Sequence, residues 1–358
     1  MPAPPVFFDP SVETIAEDEA ETLEQLTATL LRISDVVFAD SRHAFRSVHA
    51  KSHGIIEGEL EILPNLATDL AQGLFAKNSI YPVVMRLSTI AGDMLEDGVS
   101  IPRAIAFKVI GVDGDRLAGS ETDRTQDFLM ADGPVFSAPT AKKFLASLKL
   151  LAKTTDKAPG LKKALSSVLR GVEAGLESVG SESATLKTLG GHPNNHILGA
   201  TFHSQAPIRY GDYIAKMGLF PVSPELIALK EKMVDVGHDP DALRTAVRNY
   251  FETGGGTWEL RAQLCTDLKA MPVEDASVKW PEDLSSYRTV ARITATSQDT
   301  WSSDKVRRVD DGMSFSPWHG LAAHQPLGSV MRARKETYRA SAKFRGERNG
   351  CPMHEPRD

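Results

Sequence analysis

Near the far end of the chain, Arg334-Lys335-Glu336-Thr337-Tyr338 is followed by Arg345. On a helix advancing ~100° per residue, Arg334, Tyr338 and Arg345 sit at roughly 0°, 40° and 20°, so they share one narrow face. A structural helix seldom aims a tyrosine and two arginines in one direction without an anion for them. The plain alternative is an exposed basic stripe, and Arg332, Lys335 and Arg339 elsewhere on the same segment keep it open. The chemical alternative is a tyrosinate bound to ferric iron. A free phenol ionises at about pH 10, so a neighbouring guanidinium would be needed to lower that value.

Two further clusters could do chemistry. Arg46-Ser47-Val48-His49-Ala50-Lys51 sets a histidine among basic groups just ahead of an extended segment. Such a histidine is most often a satisfied structural group, and becomes an acid–base catalyst only where burial and partners tune it. Arg86-Leu87-Ser88-Thr89-Ile90-Ala91-Gly92 leads into a glycine turn and, taken alone, is a strand end. His192 and His196 have the spacing of helical metal ligands, but Pro193, Asn194 and Asn195 between them oppose a helix. Cys351-Pro352 with His354 resembles a short haem-regulatory motif on a tail expected to be mobile.

The elements that must position these residues follow from periodicity. Leu23, Leu26, Leu30, Ile33 and Val37 form the stripe of a helix lying on a core. Ile56, Leu60 and Ile62 alternate with glutamates in a half-buried strand ending at Pro64, and Tyr81 to Ser88, Arg103 to Gly111 and Asp127 to Met130 read as further strands. Thr140 to Ser178 reads as a helical hairpin broken at Pro159-Gly160, its lysines marking a solvated face. Strands resume at Ala200 to His203 and Tyr213 to Met217. Helices over Pro224 to Val236, with Ser223 as N-cap, and over Pro240 to Thr253 come next. Trp258 to Leu264 and Ala291 to Ala295 alternate as strands, and Leu327 to about Arg345 is helical. That order suits an antiparallel α+β fold, with a barrel as one form of it, better than a parallel βαβ chain. No repeat or linker divides the chain.

Composition narrows the class. The chain has 358 residues, 41% hydrophobic and 25% charged, the balance of a globular protein. A formal charge of −6 lacks the basic footprint of a nucleic-acid binder. Two cysteines, Cys265 and Cys351, are too few for a disulfide framework. The acidic start is unlike a signal peptide, and no run of eighteen apolar residues exists for a membrane span. The expected compartment is the cytoplasm.

Taken in order, the three clusters resemble the haem-dependent catalase superfamily. More closely they resemble its compact branch of catalase-related peroxidases and allene oxide synthase-like proteins. The matching segments are RSVHAK at 46–51, RLSTIAGD at 86–93, PRAIAFKV at 102–109, QDFLMADGPVF at 126–136 and RARKETYRASAKFR at 332–345. The stretch 314–338 is similar to the compact branch in particular. The resemblance covers about residues 40–345 and is weakest over 140–190. It implies a catalase-like antiparallel β-barrel with helical additions and one haem-binding domain over 1–358, with a helical insertion at about 140–180. That length would hold the barrel without the arm and terminal domain of full catalases.

Residue by residue, the resemblance implies haem b with Tyr338 as the axial ligand of its iron and Arg334 stabilising the phenolate. Arg46, Arg86 and Arg345 would pair with the propionates, and Val48 and Phe136 would complete the cofactor's surroundings. His49 would be the distal base, its other ring nitrogen held by Ser88. Catalases also carry a distal asparagine, replaced here by Ala131 or, with a one-residue shift, by Asp132, which is counted with the catalytic set. An ionised carboxylate cannot donate a hydrogen bond to peroxide, so fast disproportionation is not expected. Ser137 stands where a second channel aromatic is usual, which would widen access for larger peroxides. Val48, rather than threonine, precedes the histidine, unlike the allene oxide synthases. The implied activity is a peroxidase using hydrogen or organic peroxides to oxidise small organic donors, with weak catalase turnover. A fatty-acid hydroperoxide dehydratase or isomerase and a non-catalytic haem binder are the alternatives, and a homodimer is one option for the assembly.

Overall fold

The structure is a computed structural model that describes residues 3–152 and 192–356. Its strands are β1 (Ser52–Ile62), β2 (Ile80–Thr89), β3 (Arg103–Ile110), β4 (Thr125–Ala131), β5 (Phe202–His203), β6 (Ile208–Tyr210), β7 (Tyr213–Pro221), β8 (Gly256–Leu264) and β9 (Arg288–Ala295). Hydrogen bonding runs β5-β4-β3-β2-β1-β9-β8-β7, and β5 pairs back onto β7. The result is the closed, antiparallel eight-strand barrel that the resemblance implied, with β6 attached to β7 as a hairpin. Closure runs through the two-residue β5, which pairs at His203 with Ala131 of β4 and over Phe202–His203 with β7.

Period-two alternation fills the interior. Ile56 and Leu60 of β1, Met85 of β2, Phe107 of β3 and Met217 of β7 are fully buried in one apolar cluster. Ile55 and Val84 point the other way and are covered by Val309, Met313 and Phe315. The β1–β2 ribbon is therefore buried on both faces, which explains why Ile55 and Ile56 are adjacent and both inaccessible.

Outside the barrel, helix α1 (Glu19–Ser41) packs with α2 (Ala141–Ala152) and the last long helix, Ser329–Asn349. Leu26 and Leu30 meet Leu145, Leu148 and Ala333 there, using the stripe read from the sequence. Among the described residues no helix is long and apolar enough to cross a membrane.

Three expectations need correction or limits. The helix read over 224–236 is only α3 (Pro224–Ile227), followed by α4 (Ala242–Phe251). The reason is competition for backbone groups: His196 N–H donates to Lys232 O (2.7 Å) and Val234 N–H to Asn194 O (2.8 Å), pairing 232–234 with 194–196. Ser223 stands at the N-cap, but its hydroxyl accepts from Thr257 N–H instead of the helix. The hairpin read over 140–178 is seen as α2, and its second half lies outside the described residues.

The carboxy-terminal tail is tied down, contrary to the expected mobility. After Ser329–Asn349, here α5, Gly350 adopts φ 63° and turns the chain back. His354 N–H then donates to Gly312 O (2.9 Å), and Glu355 inserts beside Lys108 (2.6 Å) and His319 (3.1 Å). Lys108 also meets Asp127 at 2.7 Å, both side chains being fully buried. Burial opposes the charge on His319, but Asp127 and Glu355 overcome it and raise its pKa to about 9. Burial would raise the Glu355 carboxyl, and His319 and Lys108 hold it below its ordinary range instead. Two cations and two anions thus neutralise one another.

The raised His319 contributes stability that is complete below its ordinary value of 6.5 and lost as pH rises through about 9. The depressed Glu355 contributes stability present above 4.5 and lost as pH falls below it. Glu355→Gln is expected to cost about 3 kcal/mol in urea unfolding, the scale for breaking a buried pair, and to move the alkaline loss of stability to lower pH. An unchanged alkaline limb in that variant would contradict the account.

Candidate active site

The sheet register assembles one end of the barrel. Ser52 of β1 pairs with Ser88 of β2, Ser88 with Ala104 of β3, Ala104 with Ala131 of β4, Ala131 with His203 of β5, and His203 with Gly218 of β7. Ser88 and the segment after Ala131 are far apart in sequence yet lie on this single row. A cavity of about 1960 Å³ opens against it. The site residues that the resemblance implies line that cavity, Arg46, Val48, His49, Arg86, Ser88, Asp132, Phe136, Arg334, Tyr338 and Arg345, whereas Cys351 and His354 do not.

His49 is held by backbone geometry. Its φ is 57°, in the left-handed region that histidine adopts more readily than most residues. The loop is fixed by His49 N–H donating to Ile90 O (3.2 Å) and Ala50 N–H to Ala91 O (2.8 Å). Gly92 makes that approach possible, because a Cβ on it would lie 2.1 Å from Ser47 O. Ser47 N–H also donates to Ser341 Oγ of α5 (3.2 Å), joining the loop to the helix that carries Tyr338. The His49 ring meets Ser88 Oγ through Nδ1 at 3.4 Å. Burial and the nearby Arg86, Arg334 and Arg46 lower its pKa to about 3, so the imidazole is neutral at physiological pH.

On α5 the helical spacing holds: Arg334, Tyr338 and Arg345 face the same cavity. The Arg334 guanidinium lies over the Phe136 ring, 5.7 Å from its centroid. Arg332, on another side of the helix, binds Glu13, Glu19 and Glu274, which pins the amino-terminal segment. The stripe therefore divides into a structural arginine and a cavity-facing set.

The remaining arginines converge on a residue that the sequence did not single out. Asp310 Oδ1 accepts from Arg46 Nη1 (2.9 Å) and from Arg86 Nε (2.7 Å). Asp310 sits in a π-helical turn, Val306–Asp311, whose wide winding leaves carbonyls free to accept. Arg46 donates to Val309 O, Asp310 O and Met313 O, and Arg345 to Asp310 O, Asp311 O and Met313 O. Val309-Asp310-Asp311-Gly312 belongs to no motif and has no strand period, so only its acidic pair could have drawn notice.

Asp132 lines the cavity with both oxygens engaged. Oδ1 accepts from Arg103 N–H (3.0 Å), and Oδ2 lies 2.8 Å from His192 Nε2. Burial would raise its pKa, but His192 and Arg103 hold it below the usual range, so it is ionised. His192 Nδ1 lies 2.5 Å from Arg103 Nη1 and 2.8 Å from Pro193 O, while its Nε2 faces Asp132. His196 also lines the cavity, and its Nδ1 accepts from Leu198 N–H (3.3 Å). The two histidines thus serve separate partners, and no group of three potential metal ligands occurs among the described His, Cys, Asp and Glu residues.

No protein-family model and no curated protein matches the sequence. Solved structures do. A fungal catalase is 18% identical with a TM-score of 0.59, the match covering 89% of this chain and 62% of that one. Catalase A from Saccharomyces cerevisiae is 16% identical at 0.57, covering 89% and 64%. A bacterial catalase is 15% identical at 0.59, covering 99% and 66%. The chain thus spans between 62% and 66% of the length of these catalases. By its barrel and this likeness, the chain has the catalase fold.

Proposed function

We propose that the protein is a haem-dependent peroxidase that reduces hydrogen or organic peroxides at the expense of small organic donors and has weak catalase activity. The observation that carries this reading is one cavity lined by a half-buried, neutral His49 and by Tyr338 with Arg334 one turn before it. The donor set suits haem b: a phenol for ferric iron, apolar Val48, Phe136 and Ala333 for the ring, and guanidiniums for carboxylates. Arg345 Nε is buried without a partner among the described residues, a donor still to be used.

Bound haem supplies the two-electron redox chemistry of peroxide cleavage. Tyr338 would hold the iron, and Arg46, Arg86 and Arg345 the propionates. His49, neutral at working pH, accepts the proton of the incoming peroxide and returns it to the departing oxygen. Ser88 fixes the ring that does so. Overall, a peroxide and a two-electron donor give an alcohol or water, a second water and the oxidised donor. Ala131 offers no amide hydrogen bond, and the Asp132 carboxylate is spent on Arg103 and His192. Hydrogen peroxide is therefore not specially held for disproportionation.

Purified protein supplied with hemin is expected to show a haem spectrum and donor-dependent peroxide consumption. His49→Ala should keep the spectrum and lose roughly 10²–10⁴-fold in rate, the usual worth of a positioned acid–base group. A wild-type rate in that variant would refute the role of His49. Tyr338→Phe should change or abolish the haem spectrum.

Because His49 stays neutral down to about pH 3, the rate of reaction with peroxide should not fall between pH 7 and pH 5 on its account. A single protonation with a midpoint near 6.5 that vanishes in His49→Gln would contradict this.

Ala131→Asn should raise oxygen release from hydrogen peroxide relative to donor oxidation, by restoring an amide donor. An unchanged ratio would remove Ala131 from the explanation.

A further inference from the structure

We propose that Tyr287 and His203 form an electron and proton relay through the cavity wall, by which phenolic donors too large to enter are oxidised from outside. The proposal rests on the haem reading, because the peroxide-oxidised cofactor is the electron acceptor. His203 and Phe220 line the cavity, and Tyr287 packs on both rings without lining it. The ring centroids are 5.7 Å apart for His203 and Tyr287, 5.2 Å for Phe220 and Tyr287, and 5.9 Å for His203 and Phe220. Tyr287 is half-buried, so part of it reaches the surface. Gly218, opposite His203 in the sheet, leaves room for the cluster, since a Cβ there would lie 2.7 Å from Phe220 and 3.2 Å from Tyr287.

A phenol that loses an electron becomes strongly acidic, so a base must stand ready for its proton. The Tyr287 hydroxyl lies 3.3 Å from His203 Nδ1. Burial, with Lys279 nearby, lowers the His203 pKa to about 4, so the imidazole is neutral, and protonated at Nε2 it offers Nδ1 as acceptor. Tyr210 and Tyr250 instead donate to the carbonyls Leu70 O (2.7 Å) and Gly255 O (2.8 Å), which do not take up a proton. Among the described residues, Tyr287 is the tyrosine whose hydroxyl meets an imidazole.

Charge favours the same residue. Cations lie over Trp280 (Lys216, 5.1 Å), Trp301 (Arg244, 4.2 Å) and Trp318 (Lys335, 4.8 Å), which opposes removing an electron from those rings. Trp258 is buried in the barrel core. Near Tyr287 the charge is of the other sign: burial and then Glu282 raise its pKa. An anion beside the ring eases electron loss.

The peroxide-oxidised cofactor takes one electron from Tyr287, and the hydroxyl proton passes to His203 Nδ1. A neutral phenoxyl is left beside an imidazolium. A phenolic donor at the surface then gives one electron to the phenoxyl, the imidazolium returns the proton, and the Tyr287 O–H bond reforms. The donor's own proton goes to water. Two such passes supply the two electrons that one peroxide consumes, and the two donor protons balance those taken up as peroxide is reduced.

The test loads full-length protein with hemin, mixes it with hydrogen peroxide without a donor, and follows absorbance and freeze-quenched electron paramagnetic resonance. Wild type is expected to give a tyrosyl signal, Tyr287→Phe to lose it, and His203→Gln to weaken it, because an amide accepts a hydrogen bond without taking a proton. With a free phenol and a dextran-coupled phenol as donors, the ratio of coupled to free oxidation should fall in Tyr287→Phe.

An absorbance change on adding peroxide with no tyrosyl signal, or with a signal undiminished in either variant, would overturn the relay and leave the haem reading intact; so would an unchanged donor ratio. No haem absorbance, or none that peroxide alters, would instead remove the haem reading and the relay with it. Should Tyr287→Phe not fold, a nitroso spin trap added to wild type decides. An adduct on the peptide carrying residue 287 supports the relay, and adducts confined to other peptides overturn it.

Discussion

Closing the barrel through β5 constrains everything around the cavity. That strand is two residues long, and among the described residues it alone joins β4 to β7. The closed ring fixes the register, and the register lines up Ser88, Ala104, Ala131 and His203 on one row. Without that row, the loop bearing His49 and the segment from Asp132 to Phe136 would have no reason to face the same space. The helical layer supplies the other wall, with α5 fastened to the His49 loop through Ser341.

Two buried charge clusters flank this arrangement and differ in kind. Lys108, His319, Asp127 and Glu355 balance, and their work is to clamp the tail against the barrel. Arg46 and Arg86 share the Asp310 carboxylate, while backbone carbonyls of 309–313 hold Arg46 and Arg345.

How much of this was legible in the sequence depended on whether a feature was local. The strands, α1 and α5 carry their own period, and the three motif clusters carry their own spacing and come to line one cavity. The extent of α3 was not, because Asn194 and His196 take the backbone groups of 232–234 from across the molecule. Asp310 and Glu355 were likewise invisible. An acidic residue in a loop looks the same whether it meets water or buried arginines, and only the folded chain distinguishes the two. Asp132 stands out by its place in a motif, but its bonds depend on Arg103, 29 residues before it, and on His192, in a segment sixty residues after it.

The smallest residue in the neighbourhood has an outsized effect. Gly92 has no side chain, touches no ligand group and takes no part in proton movement. Yet a methyl carbon there would sit 2.1 Å from Ser47 O, and relieving that overlap means lifting the loop that aims His49. A map of tolerated substitutions along this chain would therefore carry one of its blankest columns at a position that contributes nothing but the absence of an atom.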